Sequence, residues 1–412
     1  MPTGEYNMYN PFENAMAQLD KVAKVANINP ELLLKMRTPD RDIRISIPVK
    51  MDNGTMKIFE GYRVEYNNAL GPYKGGIRYH SDTEINEVKA LAFWMSIKCA
   101  VANIPMGGGK GGITVNPQDL SKTELEALSR GWVKKLADIL GPKKDVPAPD
   151  VNTTGEIMAW MNDEYMKISG DKTMATFTGK PLDKGGSEGR TQATGLGGFY
   201  VFNSLRAQLE LPESCTVVVQ GFGNVGSNAA QIFTENGHKV LAVSDSKGGI
   251  YNANGLDIVA LLAHKKTTGI LSGFTDSKDI NNEELLALEC DVLIPGAFEN
   301  VITEMNVNNV KAKVVLELAN GPVTPEADEI LFAKGILVVP DVLANSGGVT
   351  VSYFEWDQNL KGEHWSEADV NAKLLTLMND ASQQIYTKAK ILNTDLRRGA
   401  FALALERIEA KM

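Results

Sequence analysis

Val217-Val218-Val219-Gln220-Gly221-Phe222-Gly223-Asn224-Val225-Gly226 decides the fold. An apolar run ends in a GxGxxG spacing, and the helix-compatible Ser227 to Asn236 follows. The spacing alone is weak evidence, but a second apolar run, Lys239 to Val243, leads to Asp245 about 20 residues beyond Gly226. Strand, glycine turn, helix and acid-tipped strand make up a dinucleotide-binding unit. Gly221 permits the tight turn. Gly223 lets a pyrophosphate approach backbone N–H groups at a helix N-terminus, beside Asn224 and Val225, and Gly226 lets helix and strand pack closely. Asp245 would accept hydrogen bonds from the adenosine ribose of NAD, whereas Ser246 and Lys247 stand where a 2′-phosphate of NADP would arrive. Both cofactors stay open, with a lean toward NADP.

Outward from this unit, short apolar runs at Thr216 to Gln220, Val240 to Val243, Val292 to Ile294, Val314 to Leu318 and Ile336 to Val339 are separated by helix-like segments. That alternation predicts a doubly wound parallel sheet. Upstream the pattern changes. Arg44 to Lys50 and Met56 to Glu65 read as a hairpin around Asp52-Asn53-Gly54, and Pro48 places its strand at a sheet edge or gives it a local irregularity. Ser81-Asp82-Thr83-Glu84 has capping-box form and predicts a helix bounded by Pro105. On that helix Leu91, Met95 and Ala102 share an apolar stripe with Lys98, while Lys89 points away. Residues 366–412 read as helical. The expectation is an α/β chain of two lobes. Residues 1–185 form a substrate-binding and assembly domain, with 395–412 packing back on it. Residues 186–394 form a Rossmann-like dinucleotide-binding domain, entered through the connector at 186–190.

With 412 residues, 43% of them hydrophobic and 23% charged, the chain has the composition of a folded protein long enough for two cores. Its net charge of −9 argues against general nucleic-acid or acidic-membrane binding, so an anionic ligand must be held by locally placed cations. Cys99, Cys215 and Cys290 are scattered and odd in number, which suggests neither a disulfide framework nor a metal site. Met1 to Asp20 lacks the basic and apolar regions of a signal peptide, and no apolar run approaches the ~20 residues of a membrane span. A cytoplasmic location is expected.

Local cations are present in unusual settings. Lys74 lies in Gly71-Pro72-Tyr73-Lys74-Gly75-Gly76, Lys98 on the apolar stripe, and Lys110 in Gly107-Gly108-Gly109-Lys110-Gly111-Gly112. The last is not a phosphate-binding GxxxxGK[ST] loop, because Ile104 occupies the first glycine position and Gly111 the Ser/Thr position. Its glycines suggest close backbone approach to a ligand. Clustered, desolvated ammonium groups lower one another's pKa, which lets one lysine act as a neutral base near pH 7. Asp150, in Pro147-Ala148-Pro149-Asp150, is the companion acid.

These segments, with Ile77-Arg78, Ala319-Asn320-Gly321-Pro322 and Asn345-Ser346-Gly347-Gly348-Val349-Thr350-Val351-Ser352, resemble the glutamate, leucine, phenylalanine and valine dehydrogenase family, nearest its compact microbial glutamate-specific members. The resemblance runs in the family's order over nearly the whole chain. It implies that Lys98 pairs with the substrate α-carboxylate, Lys110 activates water, Asp150 transfers protons, and Lys74 and Ser352 hold the γ-carboxylate. It places Thr194, Asn320 and Asn345 around the nicotinamide and its ribose, and Asn224 beside the pyrophosphate. Met95 departs from relatives that carry a glutamine touching the substrate there. The implied reaction is NAD(P)-dependent, reversible oxidative deamination of L-glutamate to 2-oxoglutarate and ammonium, without a metal, by a homohexamer. The alternatives are a leucine, valine or phenylalanine dehydrogenase of the same family, disfavoured by Lys74 and Ser352, and a non-catalytic dinucleotide-sensing protein.

Overall fold

A computed structural model describes residues 10–412; the first nine residues of the stretch read for targeting features lie outside the described residues. Two short helices come first, α1 (Pro11–Val25) and α2 (Pro30–Lys35). Both start on a proline behind an asparagine, Asn10 and Asn29, whose side chain accepts first-turn N–H groups. The hairpin follows as β1 (Arg41–Lys50) and β2 (Met56–Asn67), paired antiparallel with Ile47 opposite Phe59. Gly54 in its turn has φ 85°. Then come β3 (Tyr73–His80), α3 (Ile85–Val101), β4 (Gly108–Thr114), α4 (Lys122–Leu136), β5 (Asp145–Pro149) and α5 (Gly155–Ser169). The sheet order is β1-β2-β4-β3-β5, so Pro48, Pro147 and Pro149 all sit on edge strands. One face packs Ile77, Tyr79 and Ile113 against Trp132 of α4 and Met158 of α5. The other packs Val64 and Tyr66 against Phe93 and Ile97 of α3.

Three expectations need correction here. The capping box at Ser81 does not form. Glu84 is itself the N-cap, its carboxylate accepting the N–H groups of Asn86 at 2.8 Å and Glu87 at 2.6 Å. Next, α3 is not amphipathic about the Leu91–Met95–Lys98 stripe. Enclosed by the sheet and by C-terminal helices, it buries Val88, Ala92, Phe93, Ser96, Ile97 and Ala100, and the stripe is its half-open side. Finally, the glycines around Lys74 and Lys110 lie in strands β3 and β4, and their missing side chains make room for protein. A Cβ on Gly75 would stand 1.6 Å from the Gly109 carbonyl oxygen, one on Gly108 2.0 Å from Ser96 Oγ, and one on Gly76 2.7 Å from the Asp150 side chain.

The second half opens with α6 (Ala193–Leu205), then β6 (Thr216–Gln220), α7 (Asn224–Glu235), β7 (Lys239–Asp245), β8 (Gly248–Tyr251), α8 (Ile258–Thr268), β9 (Lys278–Ile280) and α9 (Asn282–Leu286). It continues through β10 (Val292–Pro295), β11 (Val314–Leu316), α10 (Pro325–Ala333), β12 (Leu337–Val339), α11 (Asp341–Ala344) and α12 (Gly347–Lys361). The sheet order is β12-β11-β10-β6-β7-β8-β9. The first five of these strands are parallel, and the antiparallel β8 and β9 extend one edge beyond the expected doubly wound core. The order reverses at β6, so the cleft at its C-terminal end is the switch point where such sheets bind ligands. Two helices close the chain, α13 (Glu367–Leu392) and α14 (Leu396–Glu409). The last lies against α3: Arg407 donates to the carbonyls of Ala100 at 2.6 Å and Val101 at 2.9 Å. Among the described residues no helix is long and apolar enough to cross a membrane.

Candidate active site

The cleft between the two sheets receives Lys110 from β4 and Asp150 from the turn after β5. Lys110 Nζ lies 2.8 Å from Asp150 Oδ2, and Arg78 Nε of β3 reaches the same oxygen at 3.0 Å. Glu87 on α3 pairs with Arg78 from behind. Burial pushes the Lys110 ammonium below the usual lysine value, with Arg78 adding to the effect and Asp150 resisting it. Burial alone would raise Asp150, but Lys110 and Arg78 prevail and hold it at about 2. Each group therefore biases the protonation of the other.

A second polar cluster lies deeper. Lys74 Nζ, 1% exposed, donates to Thr178 Oγ1 at 2.8 Å and to the Val146 carbonyl at 3.2 Å. The hydroxyls of Thr178 and Ser352 are 2.6 Å apart, so α12 completes the pocket from the other side. Every direct partner of Lys74 is neutral, and burial, with Arg190 nearby, pushes its ammonium down to about 7. Arg190 adds a second cation there, and its Nη1 is buried without a partner. A buried amine with neutral direct partners, beside a buried guanidinium nitrogen without one, fits an anionic group of a ligand.

Lys98, half-buried, faces the second sheet. Its Nζ donates to Asn320 Oδ1 at 3.1 Å, an oxygen that also accepts from Asn345 Nδ2 at 3.0 Å. Burial lowers the Lys98 ammonium and Lys110 adds to the effect, while Asp341 opposes it. Lys98 and Lys110 thus act on one another, while Lys74 lies in its own buried cluster, and each of the three has its own partners.

On the dinucleotide side, Gly221 takes φ 95°, and a Cβ on Gly226 would stand 1.7 Å from the Gly221 carbonyl oxygen. Gly223 caps α7 without a side-chain bond to the first-turn N–H groups, which leaves them for an anion. Asn345 Oδ1 and Gln220 Oε1 are buried without partners. An open helix N-terminus and orphaned acceptors fit a dinucleotide. Thr194 is the second residue of α6 and its hydroxyl faces Gly348, while Asn224 Oδ1 accepts from Asn228 Nδ2 at 3.3 Å and its Nδ2 lies 3.5 Å from the Thr191 carbonyl oxygen. At the tip of β7, Asp245 accepts the Lys247 N–H at 2.9 Å and pairs with Lys265 of α8 at 2.8 Å; Ser246 is exposed beside them. Thr178, Lys265 and the roles of Arg78 and Arg190 escaped the sequence reading. Arg78 and Arg190 lay inside quoted motifs, but nothing local marked Thr178 or Lys265, which reach their sites through the fold.

A switch-point dinucleotide cradle facing a cleft of buried amines defines a nicotinamide-dependent dehydrogenase of small carboxylate substrates. Comparison with known proteins narrows the class. The family description "Glutamate/Leucine/Phenylalanine/Valine dehydrogenase" matches residues 185–412, and "Glu/Leu/Phe/Val dehydrogenase, dimerisation domain" matches residues 39–167. The NADP-specific glutamate dehydrogenase of Synechocystis sp. is 46% identical over 97% of this chain and 96% of its own. The NAD-specific glutamate dehydrogenase of Staphylococcus aureus is 46% identical over 90% of both. Hetero-hexameric glutamate dehydrogenase from Thermus thermophilus, solved in a leucine-bound form, superposes with a TM-score of 0.92 at 37% identity, over 99% of this chain and 97% of its own. The chain belongs to the glutamate, leucine, phenylalanine and valine dehydrogenase family.

Proposed function

We propose that the protein catalyses the NAD(P)-dependent, reversible oxidative deamination of L-glutamate to 2-oxoglutarate and ammonium. One observation carries the choice of glutamate: the buried pocket of Lys74, Thr178 and Ser352, with Arg190 beside it, offers polar groups where a leucine side chain would need apolar walls. An aliphatic side chain would leave those groups desolvated and unpaired.

In this reading Lys98 holds the α-carboxylate and the Lys74 pocket the γ-carboxylate. Gripping both ends fixes Cα against the dinucleotide cleft and removes orientational freedom from the reaction. The nicotinamide, when bound, would supply the acceptor for the Cα hydride of glutamate, whose loss leaves 2-iminoglutarate in the cleft. Lys110, neutral, takes a proton from water as the oxygen attacks the imine carbon of 2-iminoglutarate. Asp150, 2.8 Å away, exchanges that proton with Lys110 and delivers it to the departing amine. While Lys110 is charged, Asp150 stays ionised. As Lys110 gives up its proton the pull on Asp150 weakens, so one proton passes along the pair. Asn320 and Asn345 orient the nicotinamide and its ribose, Thr194 and Asn224 line the same cleft, and the Gly221–Gly226 turn holds the pyrophosphate.

The relatives include NADP-specific and NAD-specific enzymes. Here Asp245 would serve a ribose, whereas Ser246, Lys247 and Lys265 would serve a 2′-phosphate. Two lysines at the strand tip weight the reading toward NADP. Domain roles follow the two sheets: residues 1–185 with 395–412 bind substrate and assemble, and 186–394 bind the dinucleotide. A homohexamer in the cytoplasm is the expected state, and light scattering reads the stoichiometry.

Steady-state reduction of NAD and NADP, with glutamate and with leucine, tests the reaction and the β7 tip together. Glutamate is expected to support turnover at least tenfold better than leucine in kcat/KM, with discrimination up to about 10⁴-fold available to a site whose polar groups the wrong substrate leaves unpaired. Preference for leucine would refute the pocket assignment, and cofactor binding without turnover would support a sensing protein instead.

A further inference from the structure

Thr178 sits on a stretch without regular secondary structure, between α5 and α6, and the γ-carboxylate pocket exists only if this loop is held in register with α12. The residue placed to hold it is Glu355. It lies three residues beyond Ser352 on α12, on the same helix face, and its side chain is fully buried. Its carboxylate accepts the Gly179 N–H at 2.7 Å, the Lys180 N–H at 3.3 Å and the Lys180 ammonium at 2.8 Å. Lys180 also donates to the Phe177 carbonyl, so the charge pair closes a ring around the loop. Gly179 has φ 81°, and a Cβ there would stand 2.4 Å from Pro149 Cδ, so the loop has little freedom to adjust. Thr178 thus directly precedes two residues bound to one carboxylate, the Lys180 ammonium ties the Phe177 carbonyl on its other side, and Ser352 sits one turn before that carboxylate on its own helix.

We propose that Glu355 is a specificity-determining positioning residue: it sets Thr178 against Ser352 and Lys74, and the preference for a substrate with a second carboxylate depends on it. The proposal rests on the reading that this pocket takes the distal carboxylate. A merely structural glutamate would affect all substrates alike. A positioning glutamate would affect those that use the pocket.

The experiment compares 2-oxoglutarate with 2-oxovalerate, which has the same chain length and no distal carboxylate, in ammonium-dependent oxidation of NAD(P)H. Full-length wild type, Glu355→Gln and Glu355→Asp are used. The amide of Glu355→Gln still accepts one N–H but cannot neutralise Lys180. Its ratio of kcat/KM, 2-oxoglutarate over 2-oxovalerate, is expected to fall about tenfold or more, mostly through KM for 2-oxoglutarate, while 2-oxovalerate turnover changes less than about twofold. Glu355→Asp, which keeps the charge with a shorter reach, is expected to lie between. A parallel loss on both substrates, or an unchanged ratio, overturns the proposal. Should Glu355→Gln fail to fold, an unchanged ratio in Glu355→Asp overturns it equally. A wild type that does not discriminate between the two acids refutes the pocket reading, and the proposal with it; a discriminating wild type with an insensitive Glu355 refutes the proposal alone.

Discussion

In the proposed mechanism Lys74 is charged to hold a carboxylate and Lys110 neutral to accept a proton. In the free protein each is biased the other way, Lys74 by its neutral partners and Lys110 by its tie to Asp150, so ligand binding has to shift both. Lys74 has only neutral partners and falls to about 7, so in the free enzyme it is protonated below about pH 7 and loses its proton above. An arriving carboxylate favours the ammonium and raises that value. Binding of 2-oxoglutarate should therefore be tightest below pH 7, weaken as pH rises, and take up close to one proton per site at pH 8. Calorimetry in two buffers of different ionisation heat reads that uptake, and Lys74→Met should abolish it. Lys110 is the opposite case, lowered by burial but tied to Asp150. Lys110→Ala is expected to cut turnover by about 10³-fold or more while cofactor binding, followed by NADPH fluorescence, stays near wild type. Near-normal turnover in that variant would remove Lys110 from the chemistry.

Between elements, contact is often set by what is missing. A Cβ on Gly347, the first residue of α12, would stand 2.1 Å from the Ala193 carbonyl oxygen on α6, and the two helices carry Ser352 and Thr194 respectively. Gly347→Ala must push them apart. It should cost about 1–3 kcal/mol of stability, measured as a shift in denaturant midpoint, and weaken cofactor binding as well. Much of this architecture was legible in local sequence. The GxGxxG turn announced α7 between two strands because its glycines serve backbone geometry, and the hairpin was visible in Asp52-Asn53-Gly54. The glycines flanking Lys110 signalled crowding correctly, but the crowding is by Ser96 and neighbouring strands, which only the folded sheet reveals. Strands β8 and β9 were missed because four and three residues are too few for a periodic signal. Thr178, Lys265 and Glu355 were missed for another reason. Each reaches its partners across long stretches of chain, and nothing beside it in the sequence marks that destination.

At the scale of the whole molecule, α14 is the strap between the halves. Near its end Arg407 holds the last turn of α3, the helix that carries Lys98. At its start Arg397 meets three carboxylates of the other half: Glu317 at 2.8 Å, Asp328 at 3.0 Å and Asp341 at 3.3 Å. Asp341 in turn accepts the Gly321 N–H at 2.9 Å, next to Asn320, which bonds Lys98. A single guanidinium therefore bridges the three acids beneath the loop that meets the first lobe. Removing it strands buried negative charge, which costs about 3–5 kcal/mol when one partner of a buried pair is lost. Arg397→Met is expected to lose stability of that order at pH 8, with Arg397→Lys less affected. The pH dependence identifies the cause. Burial already holds Glu317 up at about 7 beside Arg397, which pulls the other way. Without the guanidinium its folded-state pKa rises further, so the native variant binds more protons than the unfolded chain over a wider window than wild type does. Its stability must then increase as pH falls toward 5. The gap between wild type and Arg397→Met in chemical denaturation should narrow from pH 8 to pH 5. A gap independent of pH would mean that α14 is held by packing and that its arginine is incidental.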